Sequence, residues 1–455
     1  MRSPLVPFLG FVAVAAACSS TPDEPPPPPA WVDAPASIDL YAGRSIAIPI
    51  DVRTDDAAKL TVTAFAEGVE AEIVGGEATG GSWRGTLLVR AGYGLDAPVV
   101  GVDLVDARAQ KVTITPAIRT HELSWRKRVT WDAGGPQTRE HGAFFVDAEA
   151  KAVFMLQGSG YSPQFKPIDD SWRLDLSTGA WTPWTPTGDA PPGGGSRRVA
   201  PIPGTKKAYA YGGYTGFEAT SKSEGDLYRV DLGDAEKTFT RLTSAGAGPP
   251  RQLHAIAYDA KGDQLVVFGG FTDVPTDDAL DDTWLVKVEG DTATWRKVEG
   301  KAPSPRYGSF TAFDTESRRF VVWSGAQFPV DAADPVNAAQ DAWALDLEAD
   351  PPAWTKLAPT GEAPPGRRNG CAMHDPIGRR LFVFGGTSNG RTTEPGLFVL
   401  ALEPGREAWT KLSLAGEPPL RSSGFTFATP EGDVACAFGN GAKPYADVSF
   451  LGYAD

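Results

Sequence analysis

The chain has 455 residues, 41% of them hydrophobic, enough to bury a large core and to form more than one domain. Its 57 acidic residues against 43 basic ones leave a formal net charge of -14. That balance argues against a nucleic-acid backbone or an anionic bilayer surface as the main partner.

Residues 1–17 read as a secretory signal. Arg2 supplies a small positive region, and Leu5 to Ala17 is apolar but too short to span a membrane as a mature helix. The segment stops at Ala15-Ala16-Ala17-Cys18, which resembles the cleavage box of bacterial lipoproteins, with Ala where Leu is commoner at the first position. The resemblance implies that Cys18 becomes the acylated N-terminus and that the lipid is the only route to a membrane. Ser19 after it implies onward transport to an outer membrane. Ordinary cleavage after the small Ala residues is the other reading of this segment. Residues 18–30 carry Pro22 and the run Pro25 to Pro29, an extended polyproline tether that holds a folded part off the surface.

Residues 31–118 alternate in seven short runs: 37–40, 45–52, 59–66, 70–74, 85–91, 99–105 and 110–115. Turn clusters such as Thr54-Asp55-Asp56 and Gly75-Gly76 separate them, and no useful helical window occurs. Seven strands in so short a span predict a small β-sandwich, immunoglobulin-like in outline and without a disulfide. A spacer, a carbohydrate binder and a partner binder remain open as its role.

From residue 119 onward the chain repeats. Arg139, Arg251, Arg306, Arg367 and Arg421 each stand 18 residues before a Gly pair or its remnant: Gln157-Gly158, Gly269-Gly270, Ser324-Gly325, Gly385-Gly386 and Gly439-Asn440. A further copy has Arg197 only 15 before Gly212-Gly213, which predicts one hairpin shorter by three residues. Closing aromatics follow at Trp125, Trp181, Phe239, Trp295, Trp354 and Trp409, at intervals of 56, 58, 56, 59 and 55. Four short strands per unit at a fixed period predict a propeller. The Pro-Pro-Arg start, the apolar run into Gly-Gly, segments such as Asp341-Ala342-Trp343-Ala344-Leu345-Asp346 and the closing Trp resemble kelch repeats.

The expected fold is therefore all-β: a six-bladed kelch-type propeller over residues 119–455, preceded by the sandwich. Because Trp125 precedes the first Arg and only one strand follows Gly439, strand 123–129 is expected to complete the C-terminal blade, leaving no open edge.

The loops after the Gly pairs vary, so function belongs there. Connectivity brings Arg139, Arg197 or Arg198, Arg251, Arg306, Arg367 and Arg421 toward one end of the channel. The kelch resemblance implies that such arginines either bind acidic ligands or tie the repeats together. Tyr161, Tyr214, Phe271 and Phe328 add aromatic surface suited to a sugar or a peptide. Asp277, Asp278 and Asp281 form a weak Ca²⁺ candidate that lacks the Gly and Glu of the known loop motif. His141 and His254 read as packed histidines, and no two of the four histidines share a metal-ligand spacing. Cys371 and Cys436 read equally as a disulfide or as buried thiols. Neither lies in a loop near a suitable His and Tyr, which counts against a copper radical oxidase. No nucleophile elbow, phosphate loop or zinc motif occurs, so neither catalytic residues nor a cofactor are assigned.

The expected protein is thus an exported, lipid-anchored envelope protein that binds a protein or carbohydrate ligand through the loop-rich face. A carbohydrate-active enzyme resembling the bacterial kelch sialic-acid mutarotases and a structural envelope protein are the alternatives.

Overall fold

The computed structural model describes residues 27–131, 134–161, 166–216, 220–246, 248–273, 278–327, 338–389 and 392–453. The signal segment, Cys18, Asp277 and Phe328 lie outside the described residues.

The described chain divides into two compact units, the first comprising 27–40, 45–91 and 95–119, the second 41–44, 92–94 and 120–453. In the first unit, Ala30–Val32, Ser45–Arg53, Ser82–Arg90 and Glu70–Thr79 form one antiparallel sheet. Thr61–Glu67, Val99–Val105 and Lys111–Ile114 form another. Ile50, Val52, Leu87 and Val89 of one sheet share a core with Val100, Val102 and Leu104 of the other. The period-2 alternation of these strands supplies that single apolar face.

Among its described residues the second unit contains six large sheets and two small ones, the latter Gly194–Gly195 with Tyr214–Thr215 and Lys222–Ser223, and Phe271–Thr272 with Asp278–Ala279. The first sheet runs Ala143–Asp147, Ala152–Leu156, Ser171–Asp175, Trp181–Trp184. The second runs Arg198–Pro201, Lys207–Tyr211, Leu227–Asp231, Phe239–Arg241. The third runs Ala255–Asp259, Gln264–Phe268, Thr283–Glu289, Thr292–Val298, with Thr243–Ala245 added parallel to its outer strand. The fourth runs Phe310–Asp314, Arg319–Trp323, Ala342–Asp346, Ala353–Leu357. The fifth runs Cys371–Asp375, Arg380–Phe384, Leu397–Ala401, Trp409–Leu412. In the sixth, Phe425–Ala428, Val434–Ala437 and Asp447–Tyr453 are joined by Leu123–Thr130, which pairs along Asp447–Tyr453.

The apolar positions face sideways, into the seams between sheets. One core cluster joins the fourth and fifth sheets through Phe310, Val321 and Trp323 against Leu381, Val383 and Trp409. Others join the sixth to the first, the first to the second, the second to the third and the third to the fourth. This explains the recurring outer aromatic, which plugs the seam behind it. Trp295 packs on Tyr211 with ring centroids 4.9 Å apart, Trp354 on Phe268 at 5.1 Å, Trp409 on Trp323 at 5.1 Å and Trp125 on Phe384 at 5.4 Å. Burying rings of this size contributes on the order of 2–3 kcal/mol each.

At the end where the first and second strands turn, ion pairs cross the seams: Lys206 to Asp147, Arg318 to Asp259 and Arg379 to Asp314. Cys371 and Cys436 are bonded as a disulfide, which staples the fifth sheet to the sixth.

Candidate functional site at the loop end and in the channel

The loop end is built from two backbone rings. In the first, the amide of the second residue of each Gly pair donates to the carbonyl that opens the next sheet. The links are Gly158 to Gly194, Gly213 to Arg251, Gly270 to Arg306, Gly325 to Arg367, Gly386 to Arg421 and Gly439 back to Arg139, all 2.8–3.3 Å. The donors and the residues before them sit at positive φ, 52° at Gln157 and 131° at Gly158, for example, which explains why glycine recurs there.

This ring corrects two registers read from the sequence. The residue equivalent to the repeat arginine in the second sheet is Gly194, which stands 18 before Gly212, so the expected three-residue shortening does not occur. The shortened hairpin is in the sixth sheet, by one residue. Its pair is Phe438-Gly439 rather than Gly439-Asn440, and Arg421 reaches the Phe438 carbonyl 17 residues on.

The second ring pairs the residue after each arginine position with the residue after each Gly pair: Glu140 with Ser159, Gly195 with Tyr214, Gln252 with Phe271, Tyr307 with Ala326, Arg368 with Thr387 and Ser422 with Asn440. Here the backbone repeats and the side chains do not. Phe271 lies against Tyr307, centroids 5.8 Å apart. The Arg368 guanidinium is hydrogen-bonded to the Tyr307 hydroxyl and lies 5.2 Å from its ring centre. Three successive sheets thus contribute one row of aromatic and cationic surface.

A second group gathers on Glu140, which is 4% exposed. Burial pushes its carboxyl up to about 7, against an opposing hydrogen bond with Asn440. The Tyr161 and Tyr214 hydroxyls lie within its electrostatic reach, and burial pushes Tyr214 up to about 12 and Tyr161 higher still.

The six arginines are internal. Arg139, Arg251, Arg306, Arg367 and Arg421 are at most 1% exposed and Arg197 is 5% exposed. Each donates from Nη1 to the carbonyl closing its own second strand, at Gln157, Gly212, Gly269, Ser324, Gly385 and Phe438. Four also pair with a carboxylate at the head of the third strand: Arg139 with Asp170, Arg251 with Asp282, Arg306 with Asp341 and Arg421 with Asp447. They brace each sheet from within, although Nη2 of Arg139 and of Arg367 has no partner in the protein. Asp278 and Asp281 are exposed, and among the described residues no group of three His, Cys, Asp or Glu is placed to hold a metal ion.

Inside the ring of sheets, the first strands enclose a cavity of about 460 Å³ that reaches from His141, His254 and Asn369 to the turns at Pro203 and Pro430. His141, Ser196, Leu253, Gly308, Asn369 and Ser423 take equivalent positive φ angles, 52–65°, two residues beyond each arginine position. Their backbones bond to one another across the seams, as in Ser196 to the His141 carbonyl and Asn369 to the Gly308 carbonyl. His141 and His254 line the cavity, and burial holds both imidazoles well below the usual histidine range, helped by the Arg198 charge at His141 and by Arg251, Arg198 and Arg197 at His254.

Sequence reasoning selected Tyr161, Tyr214, Phe271 and, as the alternative to Arg197, Arg198, but missed Glu140, Tyr307 and Arg368. The signal available was position: each stands within four residues of a repeat arginine or its glycine replacement, where the residue type changes from copy to copy.

The KLHDC2/KLHL20/DRC7 Kelch-repeats domain model matches residues 204–440, just over half of the chain. Among curated proteins the chain is similar to Adagio-like protein 3 of Oryza sativa subsp. japonica, 26% identical over 302 residues, covering 65% of this chain and 45% of that protein. It is equally similar to Adagio protein 3 of Arabidopsis thaliana, 26% identical over 335 residues, covering 69% of this chain and 51% of that protein. The chain spans about half the length of these relatives. Among solved structures, that of YjhT superposes with a TM-score of 0.50 at 15% identity, covering 71% of this chain and 99% of the other, a likeness of fold. The repeat arginines, the Gly-pair ring, the seam aromatics and the family match converge: this chain belongs to the kelch-repeat family and carries its β-propeller.

Proposed function

We propose that this is an exported, lipid-anchored protein whose six-bladed propeller binds a protein partner through the loop end, with residues 31–118 forming an immunoglobulin-like sandwich on a Pro-rich tether. Kelch-repeat propellers typically mediate protein interactions, and one observation carries the assignment of that role to the loop end. A strictly repeating backbone frame there displays side chains that do not repeat, above all the row Phe271, Tyr307 and Arg368. Aromatic and Arg side chains on a rigid frame are the groups that dominate protein interfaces. The Cys371–Cys436 disulfide supports an oxidising compartment, in keeping with export through the 1–17 segment and anchoring at Cys18.

The test is a peptide and glycan array probed with the purified chain and with Tyr307→Ala and Arg368→Ala. Peptide binding that either change weakens at least about tenfold, at unchanged melting temperature, supports the assignment. Peptide binding that both variants retain removes it, and binding to glycans alone transfers the role to carbohydrate.

A second reading, sugar chemistry at the same end, is favoured by Glu140: a buried carboxyl with a pKa near 7 beside two tyrosines is poised for proton transfer. Ring-opening or epimerising activity on a free sugar that Glu140→Gln abolishes would select it over simple binding.

A further inference from the structure

The channel cavity is a second place where chemistry gathers, adjoining the loop end through His141, whose Nε2 lies 3.6 Å from the Glu140 carboxylate. Its lining includes Arg197, Arg198, His141 and His254, and no Asp or Glu among the described residues. Arg197 is already engaged, bonded to the Gly212 carbonyl and lying over the Tyr228 ring, with Glu224 and Asp226 in electrostatic reach. Arg198 differs. Its Nε has no partner in the protein, no carboxylate offsets its charge, and burial alone lowers its pKa to about 10.

Two further lining groups are unpartnered. His254 is 3% exposed and neither ring nitrogen is bonded, and the Asn369 Oδ1 atom has no donor. A neutral imidazole offers one donor and one acceptor, and an amide oxygen needs a donor. Water satisfies such neutral groups, whereas the half-buried Arg198 guanidinium, with no carboxylate partner, is better compensated by an anion than by water alone. The cavity volume falls in the range that holds small molecules, roughly 300–1,000 Å³.

We propose that the channel binds a small hydroxycarboxylate, its carboxylate held by Arg198 and its hydroxyl groups by His254 and Asn369. Arg198 supplies planar, paired donors for the carboxylate, while the other two need a ligand that both donates and accepts. This site rests on the first strands and does not depend on the loop-end interface proposed above.

Thermal unfolding and titration calorimetry of the whole chain test it, with gluconate as the probe and glucose and inorganic phosphate as comparisons at constant ionic strength. Gluconate is expected to raise the melting temperature saturably, and glucose is not. Arg198→Met is expected to weaken gluconate at least about tenfold, while being no less stable than the parent in ligand-free buffer, because an uncompensated cation has been removed. Ala372→Phe, which fills the cavity from the opposite wall without touching the charge, is expected to abolish the gluconate shift as well. A gluconate shift of the same size in both variants, stabilisation by phosphate without stabilisation by gluconate, or no shift with any anion would each overturn the proposal. If Arg198→Met does not fold, Arg198→Lys and Ala372→Phe decide the matter. The former must weaken gluconate and the latter must exclude it.

Discussion

The third and second sheets perform the same task with different residues. In the third, Arg251 sits at the repeat position and holds both Asp282 carboxylate oxygens, at 2.7 and 2.9 Å, while donating to the Gly269 carbonyl. In the second, glycine replaces that arginine at position 194, and Arg197 reaches the matching Gly212 carbonyl from three residues further along, at 2.6 Å. Asp226, the equivalent carboxylate, pairs with Arg241 instead. What the fold requires is therefore a guanidinium on the carbonyl that ends the second strand. At positive φ that carbonyl has no strand partner, and a buried unsatisfied acceptor costs about 1–3 kcal/mol. The fifth sheet is a third variant: Arg367 keeps the carbonyl, but Gly396 stands where the carboxylate would be, and one terminal nitrogen of Arg367 has no partner.

The harshest break of this comparison is to restore the repeat. A Cβ at position 194 would lie 1.8 Å from the Tyr214 carbonyl oxygen, so Gly194→Arg, which matches the other copies, is expected to destabilise by at least about 4 kcal/mol in urea unfolding. Stability near that of the parent would mean that the second sheet can adopt the common arrangement.

Next come the arginines themselves. Arg251→Met removes the charge partner of Asp282, which keeps only the Trp284 indole as a hydrogen-bond donor, and should cost about 3–5 kcal/mol. Arg367→Met strands only carbonyl oxygens and should cost about 1–3 kcal/mol. Equal losses would show that the carboxylate contributes nothing and that the carbonyl bond alone matters.

The fifth sheet, which lacks the carboxylate, is the one joined to its neighbour by the disulfide. Cys371→Ser together with Cys436→Ser is expected to lower stability by about 2–4 kcal/mol, and reduction of the parent should reproduce the effect. If reduction leaves the melting temperature unchanged, the bond contributes nothing to holding that seam.

The smallest effects are in pH dependence, and they have opposite signs at the two kinds of carboxyl. The guanidinium partners hold Asp282, Asp341 and Asp447 below the usual carboxylate range despite burial. The unfolded chain binds more protons there, so this contribution is present above about pH 4 and is lost as pH falls through the lowered values. Glu140 behaves the other way. With its folded value raised from 4.5 to about 7, the folded state binds the extra proton, and stability declines as pH rises between those values. Glu140→Gln should flatten the decline across that window in denaturant titrations. An unchanged slope would mean that Glu140 is ionised in the folded protein.

Much of the propeller was legible because its repeat is written in local chemistry. Glycine at positive φ, an aromatic at each outer strand and alternating apolar runs are demanded by backbone sterics and by burial. Most strands of the first unit were legible for the same reason; Ala30–Val32 was not among the runs, and Glu70–Thr79 and Ser82–Arg90 extend past theirs, because pairing partners sustain positions that show no alternation. The arginines were legible as a set but not in their role. Recurrence with the repeat favours reading each guanidinium as a tie between neighbouring blades over a ligand-binding group, and only the closeness of the Gln157, Gly269 and Gly385 carbonyls shows that the bracing lies within each sheet.

By itself, then, the sequence determined the repeat, its strand order and the family to which the chain belongs, since these follow from periodicity, turn chemistry and side-chain size. Tertiary structure alone decided that Gly194 occupies an arginine's place, that Glu140 is buried near neutrality, that Cys371 meets Cys436 and that Arg198 faces a cavity without an acid. Each of those depends on which groups from distant sheets arrive within a few ångströms. Burial and Coulomb energies follow that distance, and no local pattern encodes it.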